Sequence, residues 1–189
     1  MQTELSLKRW TIDEYHRMIA TGILTTDDKV ELLEGQIIEM VPQDPPHASI
    51  TSSFSNDLPV LFAGKAWVRS QLPITIPPDS EPEPDIAIVR IDASDYFDRH
   101  PHPEDIYLLI EVADSTLSKD RKQKARIYAK ANVLEYWILD VKNQRVFVFR
   151  QPENEVYQSE QIVEATATLS TIAFPEIEID LRILFPTRS

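Results

Sequence analysis

The most apolar stretch of the chain runs from Ile106 to Ala113, Ile-Tyr-Leu-Leu-Ile-Glu-Val-Ala, and a single charge, Glu111, interrupts it. Apolar residues at both odd and even positions predict a strand buried on both faces, at the centre of a sheet. Residues 85–89, Asp-Ile-Ala-Ile-Val, follow a proline-rich loop and predict a second strand. Residues 135–140 and 145–150 predict two more, joined by a short turn at Lys142-Asn143. Residues 36–41 are apolar and β-branched enough for a strand, and 67–76 read as one strand or as two split at Pro73. The segment beyond residue 150 reads as strand-rich.

Helical signals lie between these runs. Thr11-Ile12-Asp13-Glu14 is a capping box, a Thr followed three residues later by Glu, and predicts a helix to about Ala20. Residues 48–62 read as a helix that Pro59 should kink or end. Residues 119–131 give the clearest helix, with Asp120, Lys124 and Tyr128 on one stripe at i, i+4, i+8 spacing. Most of the 14 prolines cluster between these elements and there are only 3 glycines, so the clusters mark the loops. The pattern is α/β or α+β, a mixed sheet with helices on its faces.

At 189 residues the chain is sized for one domain, and residues 1–189 are read as one. There are no cysteines, so a metal here must use oxygen or imidazole donors. The first residues lack the basic start and apolar run of a signal peptide, and no apolar stretch approaches the ~20 residues of a membrane span. A cytoplasmic protein is expected. The net charge of −12 runs against nucleic-acid binding, which normally uses Lys and Arg against phosphate. A local basic groove is compatible with that total, and acidic metal ligands add to it.

Glu111 carries the strongest chemical signal. A buried carboxylate in an apolar strand costs several kcal/mol unless a cation, a basic partner or a proton compensates it. Strand alternation puts Tyr107, Leu109, Glu111 and Ala113 on one face. The bland alternative is that Glu111 reaches water near the strand end. Asp85 opens a strand after Pro84, and alone it reads as a surface residue. If the two strands are neighbours, however, Asp85 and Glu111 converge. Two carboxylates that converge repel unless a cation lies between them. Mg²⁺, with Mn²⁺ as a substitute, takes one or two carboxylates, water and substrate phosphate. Lys124 then suits an attacking water or transition-state charge; otherwise it forms an exposed pair with Asp120. Lys122 competes for this role, and Lys124 is preferred because Ala125 and Tyr128 suggest that its side faces the sheet. Glu34, before the Gly35 turn, is a further carboxylate candidate or a solvated turn residue. His47 lacks a partner at ligand spacing and reads as structural or exposed, as does the acidic run Asp79, Glu81, Glu83 as a solvated loop.

Pro84-Asp85 followed by Glu111-Val112-Ala113 resembles the metal-binding signature of the PD-(D/E)xK nuclease superfamily. More specifically, the chain resembles a bacterial family of restriction-endonuclease-like proteins. The segments that carry the likeness are Glu31-Leu32-Leu33-Glu34-Gly35, Glu83-Pro84-Asp85-Ile86-Ala87, Leu109-Ile110-Glu111-Val112, Asp120 with Lys124 and Tyr128, and Glu135-Tyr136-Trp137-Ile138-Leu139-Asp140. The resemblance implies a restriction-endonuclease-like core, a central mixed β-sheet flanked by helices, with Asp85 and Glu111 at Mg²⁺. The superfamily's lysine position is Ala113 here, and the resemblance implies that Lys124 on the following helix replaces it. It also implies that Glu34 joins the site.

Three readings stand at this point. The first is an endonuclease that hydrolyses DNA, with metal on Asp85, Glu111 and the Val112 carbonyl. The others are a catalytically inactive binding or assembly module on the same fold, and a glycosidase using Asp85 and Glu111 as acid and base. The glycosidase ranks last, since no aromatic sugar platform is evident. DNA is the expected partner, no membrane is, and a homodimer would match the two-fold symmetry of duplex DNA.

Overall fold

A computed structural model describes residues 6–183 and Phe185. Its centre is a six-stranded mixed sheet in the order β3–β4–β5–β6–β7–β8. These strands are β3 (Trp67–Ser70), β4 (Ile86–Val89), β5 (Ile106–Ala113), β6 (Glu135–Asp140), β7 (Arg145–Glu153) and β8 (Val156–Glu164). All neighbours are antiparallel except β5 and β6. A parallel pair needs a crossover of a dozen or more residues. Here it is the helical stretch made of α3 (Leu117–Lys119), a π-turn (Asp120–Lys124) and α4 (Ala125–Lys130).

β5 is central and buried, as its apolar run predicts. Its even positions Leu108, Ile110 and Val112 join Ile86 and Ile88 of β4 and Trp137 and Leu139 of β6 in one core layer. Helix α2 (Pro45–Leu61) covers that layer with Ile50, Phe54 and Leu58. Leu109 and Ala113 face the opposite layer, with Ala87, Tyr136, Ile138 and Phe147, which α4 covers through Ala125 and Tyr128. Each such fully buried large side chain contributes about 1.5–3 kcal/mol. Tyr107 departs from the expected alternation. The register steps from Ile88↔Leu108 to Val89↔Ile106, so Tyr107 is the extra residue of a bulge. It packs with the α2 layer instead of sharing a face with Leu109.

Helix α1 (Ile12–Ala20) is capped by Thr11 with the predicted reciprocal bonds to Glu14. A hairpin of β1 (Val30–Leu33) and β2 (Gln36–Glu39) follows. Helix α2 begins earlier than residue 48 because Asp44 caps it, accepting the His47 N–H at 3.0 Å, and Pro45-Pro46 need no donor in the first turn. Pro59 does not end it early, since the one bond it removes falls in the last turn. β3 stops at Ser70, where Gln71 adopts φ of 53°, so the segment 67–76 forms one short strand and then turns away. Beyond β8, the two-residue strands β9 (Thr168–Leu169) and β10 (Ile179–Asp180) pair with each other. Glu135 is fully buried, yet satisfied: Trp137 Nε1, Arg150 and the Ile172 N–H all donate to it. No helix among the described residues is long and apolar enough to cross a membrane.

Candidate active site

β4 and β5 are neighbours, and the junction of their ends carries the site. Asp85 immediately precedes β4, and its Oδ2 accepts the Val112 N–H at 2.8 Å. The same oxygen lies 3.2 Å from His47 Nε2, on the first turn of α2, and Oδ1 accepts from Gln71 Nε2 at 3.4 Å. Ala113 gives its carbonyl to the Val141 N–H on the β6 side. Strand alternation therefore turns the Val112 carbonyl to the β4 side, next to Asp85.

Glu111 points to the α4 face, where Lys124 Nζ and Tyr128 Oη donate to its Oε1 at 2.8 and 2.9 Å. Burial pushes the Glu111 carboxyl up to about 8, with Asp120, Asp85 and Glu31 adding to the shift against the pull of Lys124. Burial works to lower the Lys124 ammonium, but Glu111, Glu31 and Asp120 together raise it above the ordinary lysine value. Lys124 is therefore a charged, enclosed lysine. Its Nζ is also 3.4 Å from Glu31 Oε2, and Glu31 Oε1 accepts from Lys119 Nζ at 2.6 Å. Burial opposes ionisation of Glu31, but the two lysines hold it below the usual carboxylate range.

The π-turn makes this arrangement. The Ala125 N–H reaches the Asp120 carbonyl, five residues back. Such a wide turn brings side chains five apart close to one line, so Lys119 and Lys124 both meet Glu31. Asp120 is buried beside them, accepting from Thr116 Oγ1 at 2.6 Å. Burial raises its carboxyl despite Lys124. These groups line a cavity of about 580 Å³ in which five carboxylates, Glu31, Glu83, Asp85, Glu111 and Asp120, face three lysines, Lys29, Lys119 and Lys124. Glu83 is raised by burial and by repulsion from Glu31.

The sequence candidates divide cleanly. Asp85, Glu111, Val112 and Lys124 line this cavity, and Tyr128 supports Glu111 from beneath. Asp120, Lys124 and Tyr128 do form one buried stripe, and Lys124 pairs with Glu111 rather than with Asp120 at the surface. Glu34 is not brought in: it sits at φ of 49° in the hairpin turn and pairs with Arg126. Glu31, three residues earlier, takes the expected place. It shares its face of β1 with Leu33, whereas Glu34 has left the strand. Lys122 is exposed. His47 proves to be a partner of Asp85. The acidic run is no solvated loop: Glu81 is buried against Thr75 and His16, and Glu83 lines the cavity. The signal for Glu31 was the one that marked Glu111, a charge inside an apolar strand.

Among the described residues no group of three or more Asp, Glu or His side chains is placed to hold an ion unaided. Mg²⁺ does not need one, because it keeps much of its water and takes one or two carboxylates. The hard oxygen donors of Asp85, Glu111 and the Val112 carbonyl, in a cavity with surplus negative charge, fit that ion.

Residues 12–182 match the model of the Uma2 family, described as "Putative restriction endonuclease". The chain belongs to the Uma2 family. Its fold is similar to the crystal structure of a putative nuclease belonging to DUF820 from Anabaena variabilis ATCC 29413, with a TM-score of 0.72 and 20% identity. That match covers 93% of this chain and 97% of the other. No curated protein matches. The mixed sheet and its flanking helices are thus those of a restriction-endonuclease-like Uma2 protein.

Proposed function

We propose that this Uma2 chain is a Mg²⁺-dependent endonuclease that hydrolyses phosphodiester bonds of DNA, with Mn²⁺ able to substitute. The observation that carries this reading is the convergence of Asp85 and Glu111 on one acidic cavity, beside an enclosed, charged Lys124. Asp85, Glu111 and the Val112 carbonyl would hold the ion. Held by these residues, a divalent ion would supply polarisation of the phosphodiester and a more acidic water. The Val112 N–H fixes one Asp85 oxygen, and Gln71 steadies the other. Tyr128 and Lys124 fix Glu111 from the helix side. Lys124 also presents positive charge to the attacking water and to the negative charge that builds on the phosphoryl oxygens. Water oxygen bonds to phosphorus and gives up a proton to solvent, one P–O ester bond breaks, and the departing oxygen takes a proton from solvent. Glu31 keeps Lys124 in place from the far side.

One observation favours a second reading, a binding or assembly module without catalysis: the net charge of −12 opposes the phosphate backbone. Calorimetric titration of Mg²⁺ and Mn²⁺ into the wild type and Asp85→Asn, with and without duplex DNA, joined to a plasmid-nicking assay, decides between the two. Metal binding and nicking that both vanish in Asp85→Asn support the nuclease. A wild type that neither binds metal in the presence of DNA nor nicks it supports the module.

A further inference from the structure

We propose that Lys119 is a substrate-binding residue that meets a phosphate of the nucleic acid, and that Glu31 is the carboxylate on which it rests until substrate arrives. This rests on the nuclease reading and assigns a task that Lys124 does not perform. The two lysines reach the same carboxylate from the two ends of the π-turn, Lys119 just before it and Lys124 as its last residue, yet their settings differ. The Lys124 side chain is 6% exposed and is paired with both Glu111 and Glu31. Its ammonium leaves that cage only by abandoning two buried carboxylates. The Lys119 side chain is 26% exposed, lines the cavity, and has one carboxylate partner, Glu31 Oε1 at 2.6 Å.

Charge makes the division necessary. A phosphodiester that enters a cavity with a surplus of carboxylates needs a cation at the wall, and Lys29 and Lys119 are the lysines there besides Lys124. Moving Lys119 from Glu31 to a phosphate would normally strand a buried carboxylate, which is strongly unfavourable. Glu31 is protected from that cost because Lys124 remains 3.4 Å from its Oε2 and the Glu83 N–H donates to the same oxygen at 3.3 Å. Lys119 is thus the ammonium that can change partners while its old partner stays neutralised. Lysine suits this exchange, since it binds as a flexible point charge rather than through a fixed fork.

The test measures binding of a fluorescein-labelled DNA duplex by anisotropy across a salt series, with Ca²⁺ replacing Mg²⁺ to hold back turnover, and separately kcat and KM with Mg²⁺. Lys119→Gln is expected to weaken binding and raise KM while kcat is largely kept. Its plot of log affinity against log salt should be shallower than wild type by about 0.9, one phosphate contact. Lys119→Arg should restore both. Glu31→Gln keeps the shape of the side chain but releases Lys119, and should tighten duplex binding, a direction that loss of a merely structural pair would not give. A wild type that binds and cleaves, beside a Lys119→Gln with unchanged slope and KM, overturns the role of Lys119 alone. So does a Glu31→Gln that folds and binds no more tightly. A wild type that neither binds nor cleaves overturns the nuclease reading and this one with it.

Discussion

Asp85 and Val112 lie 27 residues apart in sequence and are joined by a 2.8 Å hydrogen bond from the Val112 N–H to Asp85 Oδ2. That bond ties the mouth of β4 to the end of β5. It spends one carboxylate oxygen on the fold and leaves the other facing the cavity, steadied by Gln71. Asp85→Asn keeps an acceptor for Val112 but loses the charge. Nicking should fall on the order of a hundredfold or more, while the thermal midpoint holds or rises slightly as carboxylate repulsion is relieved. Asp85→Ala should instead unfold earlier, by about 1–3 kcal/mol, because it leaves the buried Val112 N–H unpaired. A melt and a nicking assay on both variants separate the two effects.

The raised Glu111 carboxyl sets a pH dependence for the metal-free protein. Its folded value of about 8 lies above the ordinary value of 4.5, so between the two the folded state holds a proton that the unfolded chain has lost. This contribution to stability is fully present below about 4.5 and is lost as pH rises through 8. The slope is at most about 1.4 kcal/mol per pH unit. Glu31, lowered by its lysines, acts in the opposite sense, and its contribution is lost as acid protonates it. In EDTA, denaturant melts should show wild type losing stability from mildly acidic pH towards 8, and Glu111→Gln should flatten that decline. An equal decline in the variant would remove Glu111 as its source.

Tyr128→Phe deletes only the hydroxyl that donates to Glu111 at 2.9 Å. The ring stays packed edge-on against Tyr136. Stability should drop by about 1 kcal/mol, and Mg²⁺ affinity should weaken because Glu111 is less firmly aimed. Calorimetry on the folded variant checks the second effect directly.

Glu34→Ala and Lys122→Ala should leave cleavage at the wild-type rate. Glu34 is spent on Arg126 outside the cavity, and Lys122 faces solvent. Exposed pairs of this kind contribute about 0–1 kcal/mol. Loss of nicking in either variant, with the melt unchanged, would redraw the site.

Glu135→Ala should destabilise by about 3–5 kcal/mol, since it leaves Arg150 and the Trp137 N–H without their buried partner. The effect is confined to the fold: at temperatures where the variant is folded, Mg²⁺ affinity should match wild type.

The residues that could be read in advance were those whose own strand gave them away. Glu111 stood out as a charge in an apolar run, Asp85 as the opener of the next strand, and Lys124 and Tyr128 as one helical stripe. The partners supplied by distant segments were hidden. Lys119 meets Glu31 across 88 residues of sequence, and the choice between Glu31 and Glu34 depended on where the hairpin turned. His47 reaches Asp85 only because α2 starts at Pro45, ahead of the apolar periodicity that marks its body. The bulge at Tyr107 and the π-turn carry no breaker residue to announce them. Both are set by the packing of neighbouring elements.

The wide turn at Asp120–Lys124 also makes the length of this helix matter more than its composition. A π-turn holds one residue beyond what α-helical winding needs. Inserting a further residue beside Gln123 would exceed what that turn already absorbs and rotate everything after it by about 100° against everything before it. Lys119 and Lys124 would then no longer address one carboxylate, and Tyr128 would swing off Glu111. Substitutions at the exposed positions 121 and 122 should be absorbed with little effect, whereas a one-codon insertion there would dismantle the site while leaving the sheet to fold.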